Sequence, residues 1–341
     1  MAKLIVTSEV SEPLRARGIK TAGRFVSLSR IVGTAQEEDL SEPTNCRGFG
    51  RVRHFGSRSS VGWPGNPLPV LPAQRFLANR TDPIDAGRAQ VFQNSVCNWR
   101  CWYCYVPFSM LKGDPKKSEF IAVDEMVDWY LDEPNRPSIL DLSGGQPDLI
   151  PEWIPWTMEA LRNRGAQDAV YLWSDDNLSN DFAFRYLTDE QWETIASYPG
   201  YGRVGCFKGF DEASFSFNTG ADPTEFANQF DIFRRLNATG VDLYAYVTLT
   251  SPRPACPDPG GSIRRLLDRL SDIDEQLPLR TVPLEVQVFT PTQRRIREDH
   301  ESAIRYQHEL VAAWNEELAL RFGLDQLKAH GVLPTPPRTN E

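Results

Sequence analysis

Apolar runs of strand length recur through the middle of the chain, at Val91–Val96, Ile139–Leu142, Val170–Trp173, Val204–Phe207, Leu243–Leu249 and Leu284–Phe289. Several lack polar alternation, the pattern of parallel strands buried on both faces. Between them the apolar period lengthens to that of helices. Met126, Val127, Tyr130 and Leu131 share one helical face, as do Phe226, Phe230 and Phe233, with Gly240 as the stop. Thr188 with Gln191 makes a capping box, and Leu266, Leu267, Leu270 and Ile273 mark the helix after it. Val311, Trp314 and Leu318 mark a last amphipathic helix before a Pro-rich tail. Strands alternating with helices predict a parallel sheet with right-handed crossovers. Six such units are too few to close an eight-stranded barrel. The expected fold class is therefore α/β, a partial (β/α)6 TIM-like barrel.

The flanks read differently. Residues 1–87 are rich in Gly, Pro, Ser and Arg, with turn signals such as GWPGNPLPVLP. They are expected to form an irregular N-terminal extension, a hairpin or a lid. The barrel is assigned to 88–292, and a C-terminal helix and tail to 293–341. A length of 341 residues suits two domains or one α/β barrel with extensions. No internal repeat is visible.

Composition changes this picture little: 40% apolar and 24% charged residues are ordinary for a globular protein. The apolar run in MAKLIVTSEV is too short for a signal peptide's core, and no stretch approaches a membrane span. A cytoplasmic protein with reduced thiols is expected. The net charge of −9 argues against nucleic acid as the general partner. One basic run, RGFGRVRHFGSR at 47–58, has the chemistry to hold a phosphate or carboxylate through Arg47, Arg51, Arg53, His54 and Arg58. The plainer reading is a solvated loop or internal ion pairs.

The cysteines change the picture more. Half of the six lie in CNWRCWYC, as Cys97, Cys101 and Cys104, whereas Cys46, Cys206 and Cys256 are solitary. A chain this long needs no disulfide staples, so three clustered thiolates more naturally face one metal or cluster. In parallel α/β folds the working residues follow the C-terminal ends of strands. The cysteines follow the first strand, Gly144-Gly145-Gln146-Pro147 the second, Ser174-Asp175-Asp176-Asn177 the third and Lys208-Gly209-Phe210-Asp211 the fourth. All four groups fall on one rim.

The C-x3-C-x2-C loop, with Tyr103 before its last cysteine and GGQP after the second strand, resembles the radical S-adenosylmethionine superfamily over residues 88–290. CFKGFDEASF is similar to the lysine-bearing fourth strand of glycyl-radical activating enzymes and their archaeal relatives. The resemblance implies that Cys97, Cys101 and Cys104 hold a [4Fe–4S] cluster whose open iron binds S-adenosylmethionine. Reductive cleavage would give a 5′-deoxyadenosyl radical that takes hydrogen from a small-molecule or nucleoside-like substrate. It also implies an external electron donor such as flavodoxin or ferredoxin.

Gly144 and Gly145 would admit the methionine end, and the backbone at Tyr103 the adenine. Ser174, Asp175 and Asn177 suit ribose hydroxyls or substrate. Lys208, Asp211, Asp176 and Cys256 are candidates for the chemistry itself, although a Lys208–Asp211 ion pair is the bland reading. Gln146 stands where the family usually has an acid, so Gln146→Glu is expected to be mild. Cys206 reads as a small buried hydrophobe. A protein substrate, as for glycyl-radical activating enzymes, is the second enzymatic reading. A non-catalytic iron–sulfur protein, or zinc with Cys206 or a histidine as fourth ligand, is the reading from another class.

Overall fold

A computed structural model describes residues 4–56, 60, 63–78 and 87–328. In chain order its strands are β1 (Ile19–Lys20), β2 (Phe25–Ser29), β3 (Gly50–His54), β4 (Arg88–Phe92), β5 (Ser118–Ala122), β6 (Ile139–Leu142), β7 (Tyr171–Asp176), β8 (Tyr201–Phe207), β9 (Leu243–Val247) and β10 (Thr281–Pro283). Seven form one sheet in the order β10-β9-β8-β7-β6-β4-β3. Its six strands from β4 to β10 run parallel and in sequence order. This is the expected (β/α)6 succession, open rather than closed.

Two strand boundaries differ from the sequence pattern. The first strand runs 88–92 and not 91–96, because Gln93, Asn94 and Ser95 are buried polar residues that turn the chain out of the ladder. There Asn94 Oδ1 accepts the Val96 N–H at 2.9 Å. The last strand lies at 281–283, just upstream of the apolar run 284–289. Pro283, on an edge strand, has no N–H to continue the pairing, and Val288 is left exposed.

Parity along the strands divides the sheet. Leu140, Leu142 and Leu172 face outward, into a core shared with Met126, Val127, Tyr130 and Trp153 of the crossover helices Val123–Asp132 and Trp153–Asn163. Ala89, Ile139, Trp173, Val204, Tyr244 and Tyr246 fill the concave side. On the far flank the C-terminal helix Glu298–Arg321 buries Leu310, Trp314 and Leu318 in one cluster with Leu266, Leu267 and Leu270. Among the described residues no helix is long and apolar enough to cross a membrane.

Residues from the N-terminal segment fasten to this scaffold at two places. β3 pairs antiparallel with β4 and becomes an edge of the large sheet, while β1 and β2 join β5 in a separate antiparallel sheet. Helix Thr7–Gly18 packs behind the cysteine loop. Trp99 Nε1 donates to Thr7 Oγ1 at 3.0 Å and Asn98 Nδ2 to Ser11 Oγ at 3.0 Å. From the same helix, Arg15 forms a two-pronged ion pair with Glu152 and also donates to the Leu149 carbonyl.

Arg15 and Glu152 are both nearly inaccessible to water. Arg15→Ala leaves a buried carboxylate with no counter-charge, which costs about 3 kcal/mol or more. Urea denaturation is expected to show that loss. An unchanged midpoint would mean that the helix is not anchored by this pair.

Candidate active site

The loop after β4 carries the three cysteines and is held on every side by backbone bonds. Cys97 N donates to Leu111 O, Gly113 N to Ser95 O, Arg100 N to Thr219 O and Trp102 N to Asn218 O. Asn218 also ties Lys208 O and Thr250 O together, and so links the loop to the ends of β8 and β9. The Arg100 guanidinium closes the turn by donating to Cys97 O and Trp99 O.

All three cysteines are free thiols; Cys97 is buried and the other two half-buried. Each pair is close enough that ionising one thiol opposes ionising the other. Burial raises the thiols of Cys97 and Cys101, the latter up to about 12, with Arg100 opposing at Cys97 and Lys208 at Cys101. Such thiols ionise only when a strong cation pays for the charge. Val106, Met110, Leu111 and Phe108 pack around Cys97 and Cys104.

Among the described residues no three Cys, His, Asp or Glu side chains close on one ion position. One observation fits an anionic, thiolate-bound group. Arg295 bonds the Cys104 carbonyl through Nη2 and stacks 4.1 Å from the Phe108 ring centre. Its Nε and Nη1 are buried with no partner. No motif in the sequence marked Arg295.

The second loop docks directly on the first. Gly144 and Gly145 have φ of +87° and +66°. A Cβ on Gly145 would stand 2.6 Å from Asn94 O and 2.7 Å from Val96 O. Glycine is thus required here by contact with the cysteine loop's backbone, whatever the cofactor requires. Gln146 N donates to Val96 O at 2.7 Å, and buried Pro147 opens the short turn to Leu149.

The third strand divides its polar residues between two faces. Ser174 and Asp176 point outward: Ser174 bonds the Tyr201 hydroxyl, and Asp176 is enclosed by Gln146 Nε2 at 2.7 Å, Leu178 N at 2.8 Å and Arg203 Nη2 at 2.7 Å. Arg203 also binds Asp148, which burial pushes up to about 7, against the pull of Arg203. Asp175 faces inward, accepting from Ser143 Oγ at 2.5 Å and Trp173 Nε1 at 3.1 Å. Asn177 reaches the cysteines, with Nδ2 3.8 Å from Cys97 Sγ.

On the fourth strand's loop, Lys208 makes no hydrogen bond or ion pair through its ammonium. Burial opposes its charge, but Cys206, Tyr103, Cys101 and Asp175 outweigh that and raise its pKa. Asp211 does not pair with it; it caps helix Glu212–Thr219 through Ser214 N. Tyr103 spans the rim to Thr248 Oγ1 at 3.0 Å. Cys256 Sγ lies 3.7 Å from Ser262 Oγ, within the hydrophobic cluster that also holds Trp99 of the cysteine loop.

The inner face holds further charges. Asp141 is fully buried with both oxygens unbonded, and burial and Asp175 raise its pKa. Arg53 Nη1 stands 3.8 Å from it. A cavity of about 440 Å³ opens between the two edge strands, lined in part by Arg51, Arg53, Tyr105, Trp63, Pro283 and Phe289.

No family model and no curated protein matches the chain. Among solved structures it is similar to Streptococcus suis SuiB bound to S-adenosylmethionine, at 13% identity and a TM-score of 0.43 over 67% of this chain and 47% of that one. It is similar to TYW1 with a lysine-pyruvate adduct bound, at 11% and 0.42 over 79% and 84%. A spore photoproduct lyase with bound AdoMet and dinucleoside spore photoproduct gives 12% and 0.45 over 77% and 85%. These neighbours are radical S-adenosylmethionine enzymes. The chain spans less than half the length of the SuiB chains it matches.

The surroundings of Gln146 reverse the expectation for Gln146→Glu. Its amide donates to Asp176 while its carbonyl accepts from Asn177 N; a carboxylate would set two like charges together in a buried site. A loss of about 1–3 kcal/mol at neutral pH is expected. The introduced acid has a raised folded pKa, so the deficit is full above that value and shrinks as the pH falls below it. Urea midpoints at acid and neutral pH measure this; equal midpoints for both proteins at both pH values would refute the assignment.

Proposed function

We propose that the chain is a radical S-adenosylmethionine enzyme acting on a small molecule. The observation that carries this reading is the meeting of three electrostatically coupled thiols in one loop, on the rim where the GGQP loop docks. Cys97, Cys101 and Cys104 would hold a [4Fe–4S] cluster, with S-adenosylmethionine beside Gly144–Pro147 and Asn177. When bound, that pair supplies a carbon radical able to abstract hydrogen from an unactivated C–H bond.

The remaining roles belong to the protein. Arg295 offers two open N–H donors to negative charge at the cysteine loop. Val106, Met110, Leu111 and Phe108 keep water from the thiols. Lys208 sets a positive charge on the inner face near Cys101 and Tyr103, suited to an anionic or carbonyl group of substrate or cofactor. Asp175, locked by Ser143 and Trp173, presents a fixed carboxylate to the same interior. Asp176 is engaged by Gln146, Leu178 and Arg203, and Asp211 caps a helix, so this reading gives neither a part in the chemistry. The electron would come from a flavodoxin or ferredoxin in the cytoplasm.

Anaerobic reconstitution of the wild type is expected to give a brown protein with about four irons per chain. On reduction with S-adenosylmethionine it should release 5′-deoxyadenosine. Replacing all three of Cys97, Cys101 and Cys104 by alanine should abolish both. Full iron loading in the triple variant would reject the ligand assignment. A loaded wild type that never cleaves S-adenosylmethionine would leave an electron carrier instead.

A further inference from the structure

Residues 47–56 of the basic run take a definite place in the fold, and Arg58 lies outside the described residues. Its residues 50–54 are β3, and strand alternation puts Val52 on the outer side, buried, and Arg51 and Arg53 on the inner side. Cross-strand register agrees, since Arg51 opposes Val91 and Arg53 opposes Ala89, a member of the inner cluster. Both arginines line the 440 Å³ cavity between the edge strands.

Neither guanidinium has a full set of partners. Among the described residues Arg51 makes no side-chain hydrogen bond and no ion pair, and its Nε is buried and unbonded. It rests 5.1 Å from the centre of the Tyr105 ring, a contact that leaves the edge of its fork open. Arg53 lies 4.8 Å from the centre of the Phe55 ring, and its one ion-pair contact, Asp141 at 3.8 Å, is beyond hydrogen-bonding distance. Asp141 sits behind Arg53 and does not line the cavity.

The two carboxylates that do line it are engaged. Asp39 accepts from Thr290, and Glu285 accepts from Ser60 N and Gln287 Nε2. Both side chains are half-buried and reach the cavity, and the buried Nε of Arg51 is costly unless an acceptor completes it. A planar fork suits carboxylate and phosphate oxygens in particular.

We propose that Arg51 and Arg53 form an anion clamp in this lateral cavity, and that the substrate carries a carboxylate or a phosphate. The clamp follows from the cavity alone; the word substrate rests on the radical-enzyme reading above. Trp63, Tyr105 and Phe289 supply flat apolar walls for the rest of the molecule. The volume is that of a small-molecule site.

The test has two parts, both on the anaerobic, cluster-loaded full chain. The first is calorimetric titration with inorganic pyrophosphate and, separately, with succinate, so that the two anion sources are told apart. At least one probe is expected to bind the wild type. The affinity should fall tenfold or more in Arg51→Gln and in Arg53→Gln, and less in Arg51→Lys. Melting curves and iron content identify any variant that has lost its fold; Arg51→Lys then carries the comparison.

The second part is a metabolite screen for deuterium transfer into 5′-deoxyadenosine, with active acids compared against their neutral esters. Anionic compounds should be active, with Arg51→Gln raising KM more than it lowers kcat. Failure of both anions to bind the wild type, or equal binding by Arg51→Gln, overturns the clamp. Turnover of neutral compounds alone overturns its assignment to substrate. A loaded chain that binds pyrophosphate through Arg51 yet never cleaves S-adenosylmethionine keeps the clamp and removes the radical-enzyme reading.

Discussion

The contact on which the rest of the site depends is the one between the loops that follow β4 and β6. Two neighbouring parallel strands deliver their loops side by side, and the glycines of one pack directly on the backbone and the Gln93 and Asn94 side chains of the other. Gly145 faces the carbonyls of Asn94 and Val96 at distances no Cβ tolerates, and Gln146 N is bonded to Val96 O. This contact fixes where the cysteine loop leaves the sheet. The bonds to Leu111, Asn218 and Thr219 then fix where it returns. The thiols are therefore positioned by backbone geometry, which leaves the side chains around them free to set charge and water access.

Much of this was legible in the sequence, for a physical reason. Parallel strands are covered on both sides, so ILDL and LYAYV announce themselves as uninterrupted apolar runs, and loops after them announce themselves by polarity. Boundaries failed where burial is achieved by amides, as at Gln93 and Asn94, because a buried polar residue carries no hydrophobic signal. The Asp175–Asp176 pair shows another limit. Its composition placed both residues at the rim, but only register shows that one looks inward and the other is consumed by Gln146 and Arg203.

Long-range pairing was the least legible of all. Nothing in RGFGRVRHFGSR says that it pairs with a strand whose partner residues lie some forty positions away, nor that Arg295 from the C-terminal segment ends at Cys104. The notion of the first residues as a loose extension failed to foresee the helix Thr7–Gly18 as a buttress of the cysteine loop. Its helical signal is interrupted by Pro13 and its apolar face is weak. Its place is set by Thr7, Ser11 and Arg15, polar side chains whose partners are remote.

That buttress has a bearing on synthesis. Helix Thr7–Gly18 is made well before its anchors: the partner of Arg15 lies 137 residues further on, and the backbone at Ile5 bonds to Gly220 and Asp222. Until those residues follow, the segment that steadies the cysteine loop is itself unanchored. The three thiols emerge before the loops that enclose them and stay open to the solvent until β8 has been added. On the proposed function, the order of the chain would then set a window in which a cluster can reach the thiols before the later strands pack beside them.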